Sequence, residues 1–309
     1  MATVLAVLGT PRKRGSTATL LDAAVEGART VKGVRVEKVN VFDFKPFISP
    51  CVSCYNCIRD HSRQCTLPDA MGRNGKGELY VKVLEANGLL VGDPVHMWSP
   101  SSAIHVFMER LYPSLFTGKL IGLPFASISC ASNQGMMNLA NKELCKWAFT
   151  YKMRYVGGLP VHLVFFEDAL NEAKFLGVGL AEAAKDDEKN GRKSWNDRDS
   201  WFYYMDKPWN ALEPYLDNLT KGTFTWEKSL IEYGLRHSVF KKRETVRLLK
   251  KAREEFIKAM KAYKLSDKVA AQEKLVRASA YWTHATAKEF GERTLKAKID
   301  LGSYRPLPE

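Results

Sequence analysis

Long hydrophobic runs are missing from this chain. No stretch approaches the roughly 20 apolar residues that a bilayer-spanning helix needs, so no membrane-spanning helix is expected. The charge-then-apolar order of a secretory leader is also missing, because the apolar start MATVLAVLG precedes the basic turn PRKRGS. A cytoplasmic protein without membrane association is therefore expected. The fingerprints GxxxxGK(S/T) and GxGxxG are absent, which removes the Walker-type and dinucleotide-binding loops. Neither a Ser/His/Asp hydrolase pattern, nor a carboxylate pair of the glycosidase kind, nor an internal repeat is present. Acidic residues are in the minority, 34 against 47 Lys and Arg, for a net charge of +13. Residues 228–309 hold about 20 of the basic and about 10 of the acidic side chains, so the excess belongs mainly to the C-terminal part.

What is present is enough apolar material for a substantial core: 45% of 309 residues. The first half alternates short β-rich runs with helix-like stretches, the pattern of a layered α/β domain with a parallel sheet. The runs predict strands at 3–9, 34–41, 88–94, 121–130 and 155–166, and helices at 16–30, 78–86, 101–111 and 136–153. Five strands and four helices make a doubly wound sheet, complete by residue 166. Ligands of such sheets bind beyond the carboxyl ends of the strands, near the switch in strand order. The loops at 10–17, 94–101 and 129–135 should lie there, and the loop after the second strand should reach the same edge. Residues 167–226 read as an insertion, with a charged stretch and then WFYYMDKPW and TKGTFTW. Residues 227–309 read as a basic helical extension, with Val246, Leu249, Phe256, Met260 and Tyr263 at helical spacing and a turn at Leu265-Ser266-Asp267.

Cysteine is scarce but concentrated. Four of the six stand within residues 51–65, as Cys51, Cys54, Cys57 and Cys65, spaced C-x2-C-x2-C-x7-C. Thiolates so placed on one loop can converge on a metal centre. C-x2-C-x2-C supplies three corners of a 4Fe–4S cluster and Cys65 a fourth. A compact four-cysteine zinc loop and unmetallated, redox-active thiols are the competing readings; structural disulfides suit small secreted domains instead. The other two, Cys130 and Cys145, are expected to be buried.

The segment GTPRKRG at 9–15, followed by Ser16 and Thr17, joins the first strand to a helix. Helix-terminal N–H groups, hydroxyls and cations together make a phosphate cradle. A solvated basic turn with Ser16 as helix cap is the competing reading.

Taken in order, GTPRKRGSTATLL, CVSCYNCIRDHSRQCTLPDAM and GDPVHMWSPSSAIHVFMERL resemble the iron–sulfur flavoproteins of the flavodoxin-like, NAD(P)H-dependent FMN reductase superfamily. The resemblance covers about the first 165 residues. It implies a flavodoxin-like domain over 1–166 that binds FMN without a covalent link and carries a 4Fe–4S cluster on a cysteine loop at 48–71. Thr10, Arg12, Lys13, Ser16 and Thr17 would hold the FMN phosphate. Pro94, Val95, His96, Met97 and Trp98 would flank the isoalloxazine ring, with His96 and Trp98 the candidate catalytic residues. Ser129, Ala131, Ser132, Asn133 and Gly135 would close the pocket, and Cys51, Cys54, Cys57 and Cys65 would ligate iron. The chain departs from the family where Ser16 replaces Asn, His96 an aromatic, and Asp69-Ala70 an acidic pair. His105, on the third helix of the pattern, is read as structural.

The resemblance also implies electron transfer between FMN and the cluster, a ferredoxin or NAD(P)H as external partner, and a homo-oligomer. Two alternatives stand beside it. One is an NAD(P)H-dependent flavin or quinone reductase with a structural cysteine loop. The other is a redox-responsive nucleic-acid-binding protein that uses the basic helices, which otherwise read as a solvated face or as a dock for an acidic electron-transfer protein.

Overall fold

The computed structural model describes residues 1–59, 62–131, 137–163, 166–193, 229–301 and 306–308. The chain forms two units, Met1–Trp195 and Asn196–Glu309.

The first unit is built on strands β1 (Ala2–Leu8), β2 (Val34–Asn40), β3 (Gly88–His96), β5 (Pro124–Ala131) and β6 (Arg154–His162). They pair in parallel in the order β2-β1-β3-β5-β6. A sixth, two-residue strand, β4 (Ser99–Pro100), folds back antiparallel onto the end of β3. Without it the order is 2-1-3-4-5, the flavodoxin-like form of the doubly wound sheet. The apolar runs are continuous because both faces are covered. Val4, Leu8, Leu90 and Ile128 face one core, while Leu5, Val7, Leu89, Val91 and Phe125 are buried with the opposite parity. β3 runs two residues past the expected end at 94, because His96 pairs with Ser99 across a hairpin.

Six of the unit's helices place the site. They are α1 (Ser16–Arg29), α2 (Asn56–Arg59), α3 (Glu78–Glu85), α4 (Ser102–Glu109), α5 (Pro113–Thr117) and α6 (Met137–Thr150). A seventh, α7 (Phe166–Asn190), occupies much of what reads in the sequence as an insertion. Its buried positions, Ala169, Ala173, Gly177, Leu180, Ala181 and Ala184, follow helical spacing. Most are small residues between charged ones, so the stripe is weakly apolar and passes for a polar connection. α7 joins the core shared with α1, and the first unit therefore extends well past residue 166. The aromatic segments expected within 201–226 lie outside the described residues.

The second unit contains α8 (Leu230–Arg236), α9 (Arg243–Lys264), α10 (Lys268–Thr286), a π-helical turn (Ala287–Gly291) and α11 (Glu292–Leu295). α9 and α10 pack together by burying Leu249, Phe256 and Met260 with Ala271, Leu275 and Ala278. The turn expected at 265–267 separates them, and Asp267 caps α10 by accepting the Ala270 N–H at 2.9 Å. Among the described residues no helix is long and apolar enough to cross a membrane.

The α1–α7 contact leaves no room for side chains at two crossing points. A Cβ on Gly27 would sit 2.1 Å from the Lys174 carbonyl oxygen, and one on Gly177 would sit 1.9 Å from that of Ala24. Gly179, two residues on, faces open space. Gly177→Ala should therefore cost about 1–3 kcal/mol through overpacking, while Gly179→Ala should stabilise by up to about 1 kcal/mol through helix propensity. Urea titrations of the two variants check this, and shifts of the same sign would contradict the packing.

Candidate active site and cysteine loop

The loop after β1 turns sharply because nothing larger than hydrogen fits at Gly9, where a Cβ would meet Ile104 and the Asp93 carboxylate at 2.3 and 2.6 Å. Thr10 is buried, and its carbonyl accepts from Asn40 Nδ2 at 2.8 Å. Arg12 and Lys13 are exposed, Lys13 paired with Asp43 at 2.7 Å. Gly15, not Ser16, holds the N-cap position of α1 and has no side chain to offer, so Ser16 is the first helical residue. The first turn of α1 thus presents N–H groups without a side-chain cap, the arrangement that favours an anion. Thr17 is buried and hydrogen-bonds the Cys130 thiol at the end of β5. Burial pushes that thiol upward, against the Thr17 bond; Cys145 is buried as well.

At the end of β3, Pro94 and Val95 are half-buried while His96, Met97 and Trp98 are exposed. Met97 and Trp98 form the two-residue connection between His96 and Ser99, with φ of +50° and +67°. Hairpin turns with two left-handed residues ordinarily use Asn and Gly. In Met and Trp the conformation costs on the order of 1–2 kcal/mol per residue. Strain of this kind concentrates at ligand sites. Ser129 and Ala131 on β5 are buried, and the Ser129 hydroxyl has no hydrogen-bond partner among the described residues. Ser132, Asn133 and Gly135 lie outside the described residues.

Three polar features of the first unit are not singled out by the sequence pattern. Asp93 is fully buried in β3, accepting from the Ser101 hydroxyl at 2.6 Å and the Ser101 N–H at 2.8 Å. Burial lifts its carboxyl to about 7 in spite of those bonds. Ser99, His105 and Glu143 converge from β4, α4 and α6: the Ser99 hydroxyl donates to Glu143 at 2.6 Å and lies 3.0 Å from His105 Nε2. The same Nε2 is 3.1 Å from Glu143, so this is not a hydrolase relay, which needs both ring nitrogens. It ties the hairpin to two helices, in keeping with a structural role for His105.

The third feature is Arg110. α4 starts at the sheet edge, where Ser101 caps it by accepting the Ile104 N–H and lies 3.2 Å from the Gly9 carbonyl. Eight residues later, about 12 Å along the axis, its C-cap Arg110 is buried against the cysteine loop. Nη1 and Nη2 bond the two Asp69 oxygens at 2.7 and 3.0 Å, Nη1 also bonds the Ser49 carbonyl at 2.6 Å, and Nη2 bonds Cys65 Sγ at 3.3 Å. Asp69 accepts further from Ser49 N–H, Ser49 Oγ and Met71 N–H, and the neighbouring Glu109 accepts the Cys51 N–H at 3.1 Å. The loop leaves the sheet after β2, and the C-terminal end of α4 holds it at the Cys51 N–H and the Cys65 sulfur.

Cys51 and Cys54 are exposed, Cys57 and Cys65 half-buried. Ser53 and Tyr55, on either side of Cys54, have φ of +50° and +60°, a second concentration of strain. Burial first, then the neighbouring Cys65, Cys51 and Cys54, push the Cys57 thiol up to about 12. Such crowding is what a cation relieves, and the thiol donor set fits an iron–sulfur cluster. Among the described residues, however, no three His, Cys, Asp or Glu are drawn into a metal-coordinating group.

The NADPH-dependent FMN reductase family matches residues 2–167, more than half of the chain. The chain belongs to that family. It is an FMN-dependent oxidoreductase with a flavodoxin-like fold, and the resemblance carried by the three motifs holds. An iron-sulfur flavoprotein from Archaeoglobus fulgidus is 26% identical over 181 residues, 57% of this chain and 78% of that protein. Another from Methanocaldococcus jannaschii is 27% identical over 110 residues, 36% of this chain and 52% of its own. Among solved structures, RosB with a bound riboflavin-5′-phosphate derivative aligns with a TM-score of 0.47 at 16% identity, covering 66% of this chain and 86% of that one.

The Asp69–Arg110 pair, with side-chain exposures of 2% and 1%, sets a test. Burial acts to raise the Asp69 carboxyl, but the bonds from Arg110, Met71 and Ser49 outweigh it and hold the group below its ordinary value. A depressed carboxyl contributes stability that is full above its unfolded value of about 3.9 and is lost as pH falls through the folded value. Asp69→Asn leaves a buried guanidinium uncompensated and should cost about 3–5 kcal/mol at pH 7. The urea midpoints of variant and wild type should converge as pH is lowered below 4; a gap independent of pH would contradict the assignment.

Proposed function

We propose that the protein is an iron–sulfur flavoprotein that moves electrons between FMN at the β1/β3 edge and a 4Fe–4S cluster held by Cys51, Cys54, Cys57 and Cys65. The observation that carries this reading is the loop of four free cysteines spaced C-x2-C-x2-C-x7-C, anchored by the end of α4 through Glu109 to the Cys51 N–H and Arg110 to the Cys65 sulfur. Two relatives named iron-sulfur flavoproteins support it. FMN exchanges electrons in pairs or singly and the cluster one at a time, so together they couple two-electron to one-electron partners.

The chain's own residues have separable tasks. The uncapped turn of α1, with Thr10, Arg12, Lys13, Ser16 and Thr17, would bind the phosphate. Pro94, Val95, His96, Met97 and Trp98 would border the ring, the strain of the Met97–Trp98 turn being offset by ligand contact. Ser129 and Ala131 would wall the pocket from β5, and Ser132, Asn133 and Gly135 would complete it by the family resemblance. His96 and Trp98 would be the side chains that meet a reacting partner, with NAD(P)H or a ferredoxin as the external electron source and a homo-oligomer as the working form.

The family description favours a second reading, an NAD(P)H-dependent flavin or quinone reductase whose cysteine loop is structural. Anaerobic purification with iron, sulfide, zinc and flavin analysis separates the two. The proposal expects about four irons and one FMN per chain, with Cys57→Ala losing iron while keeping flavin. Stoichiometric zinc, or undiminished NAD(P)H oxidation in Cys57→Ala, would establish the second reading instead.

A further inference from the structure

We propose that Arg110 is a positioning residue of the metal centre: it orients Cys65 as a ligand and raises the electron affinity of the site. This rests on the cysteine-held cluster proposed above. The first and last cysteines of the motif are tied to consecutive residues of α4, Cys51 through its N–H to the Glu109 carboxylate and Cys65 through its sulfur to the Arg110 guanidinium. The two contacts differ in kind. Glu109 grips backbone and leaves the Cys51 sulfur untouched, whereas Arg110 places an N–H donor and a positive charge directly on the Cys65 sulfur at 3.3 Å.

Three properties make that contact consequential. Arg110 is shielded from water, its side chain only 1% exposed, so its field at the sulfur is weakly screened. Its orientation is set by bonds that do not involve cysteine, to both Asp69 oxygens and to the Ser49 carbonyl. A planar guanidinium can make all these bonds at once, which a lysine ammonium cannot. Cys65 is thereby distinguished from the three cysteines of the C-x2-C-x2-C turn before any metal arrives.

The direction of the effect follows from charge. On one-electron reduction, with reduced FMN as the proposed donor, a bound cluster would leave its ligand sulfurs more negative, and an N–H donor and a buried cation at one of them would favour the reduced form. Arg110 therefore raises the reduction potential. Asp69 partly offsets its charge, so the hydrogen bond to Cys65 is the more specific part of the effect.

The test uses the full chain purified anaerobically, with iron and sulfide counted first. Absence of a cluster in the wild type would overturn the cluster reading, and this inference with it. With the cluster present, the midpoint potential is measured by dithionite titration in wild type, Arg110→Lys and Arg110→Gln. A drop equivalent to about tenfold in the reduction equilibrium, ~59 mV for a one-electron couple, is expected in Arg110→Gln, with Arg110→Lys between it and the wild type. A merely structural residue would lower iron content and leave the potential of the loaded fraction unmoved, which would overturn the inference while the cluster reading stands. Should the variants not fold, wild-type protein grown on guanidino-15N arginine decides. The reduced centre should show 15N coupling in pulsed EPR, and its absence would count against Arg110.

Discussion

The buried pair of Asp69 and Arg110 is the interaction on which the placement of the cysteine loop depends. Two charges taken out of water are costly unless their hydrogen-bonding capacity is filled. Here it is: the carboxylate accepts from Arg110, Ser49 and Met71, and the guanidinium reaches Asp69, Ser49 and Cys65. The partners lie on both sides of the cysteine turn. One pair thus closes the base of a loop whose tip has exposed cysteines and two left-handed, strained residues. A loop with little apolar material of its own is held in place from outside.

The outside support is α4. Its N-terminal end belongs to the β1/β3 edge, where Ser101 caps the helix, lies 3.2 Å from the Gly9 carbonyl and is held by Asp93. Its C-terminal end belongs to the cysteine loop through Glu109 and Arg110. Ile104, Phe107 and Met108 bury the helix between these ends. A short helix fixed by polar contacts at both termini and by packing along its middle is a rigid spacer. One helix therefore joins the β1/β3 edge to the Cys51 and Cys65 attachment points of the loop.

The sheet was readable in advance because its signal is local: apolar runs of strand length alternate with helical periodicity, and both survive without knowledge of partners. α7 was not, because its seam is alanine and glycine and its apolar content shows only against α1. The four cysteines and the first loop declare themselves by spacing and composition, but the contacts that give the site its form do not. Asp93 lies within a predicted strand and Arg110 within a predicted helix, and neither is marked by spacing or composition. Both are buried through partners distant in sequence, Arg110 lying 61 residues from Ser49 and 41 from Asp69. A strained Met–Trp hairpin likewise becomes visible only when the His96–Ser99 pairing is known.

Hydrogen exchange resolved to single amides tests the central claim, that the Asp69–Arg110 pair fixes the cysteine loop to the flavin-binding unit. In the wild type the Ser49 and Met71 amides, both bonded to Asp69, should exchange slowly. In Asp69→Asn they should exchange rapidly, while the amides of β1 and β3 keep their protection. Unchanged protection of Ser49 and Met71 in Asp69→Asn would show that the loop is held by something else.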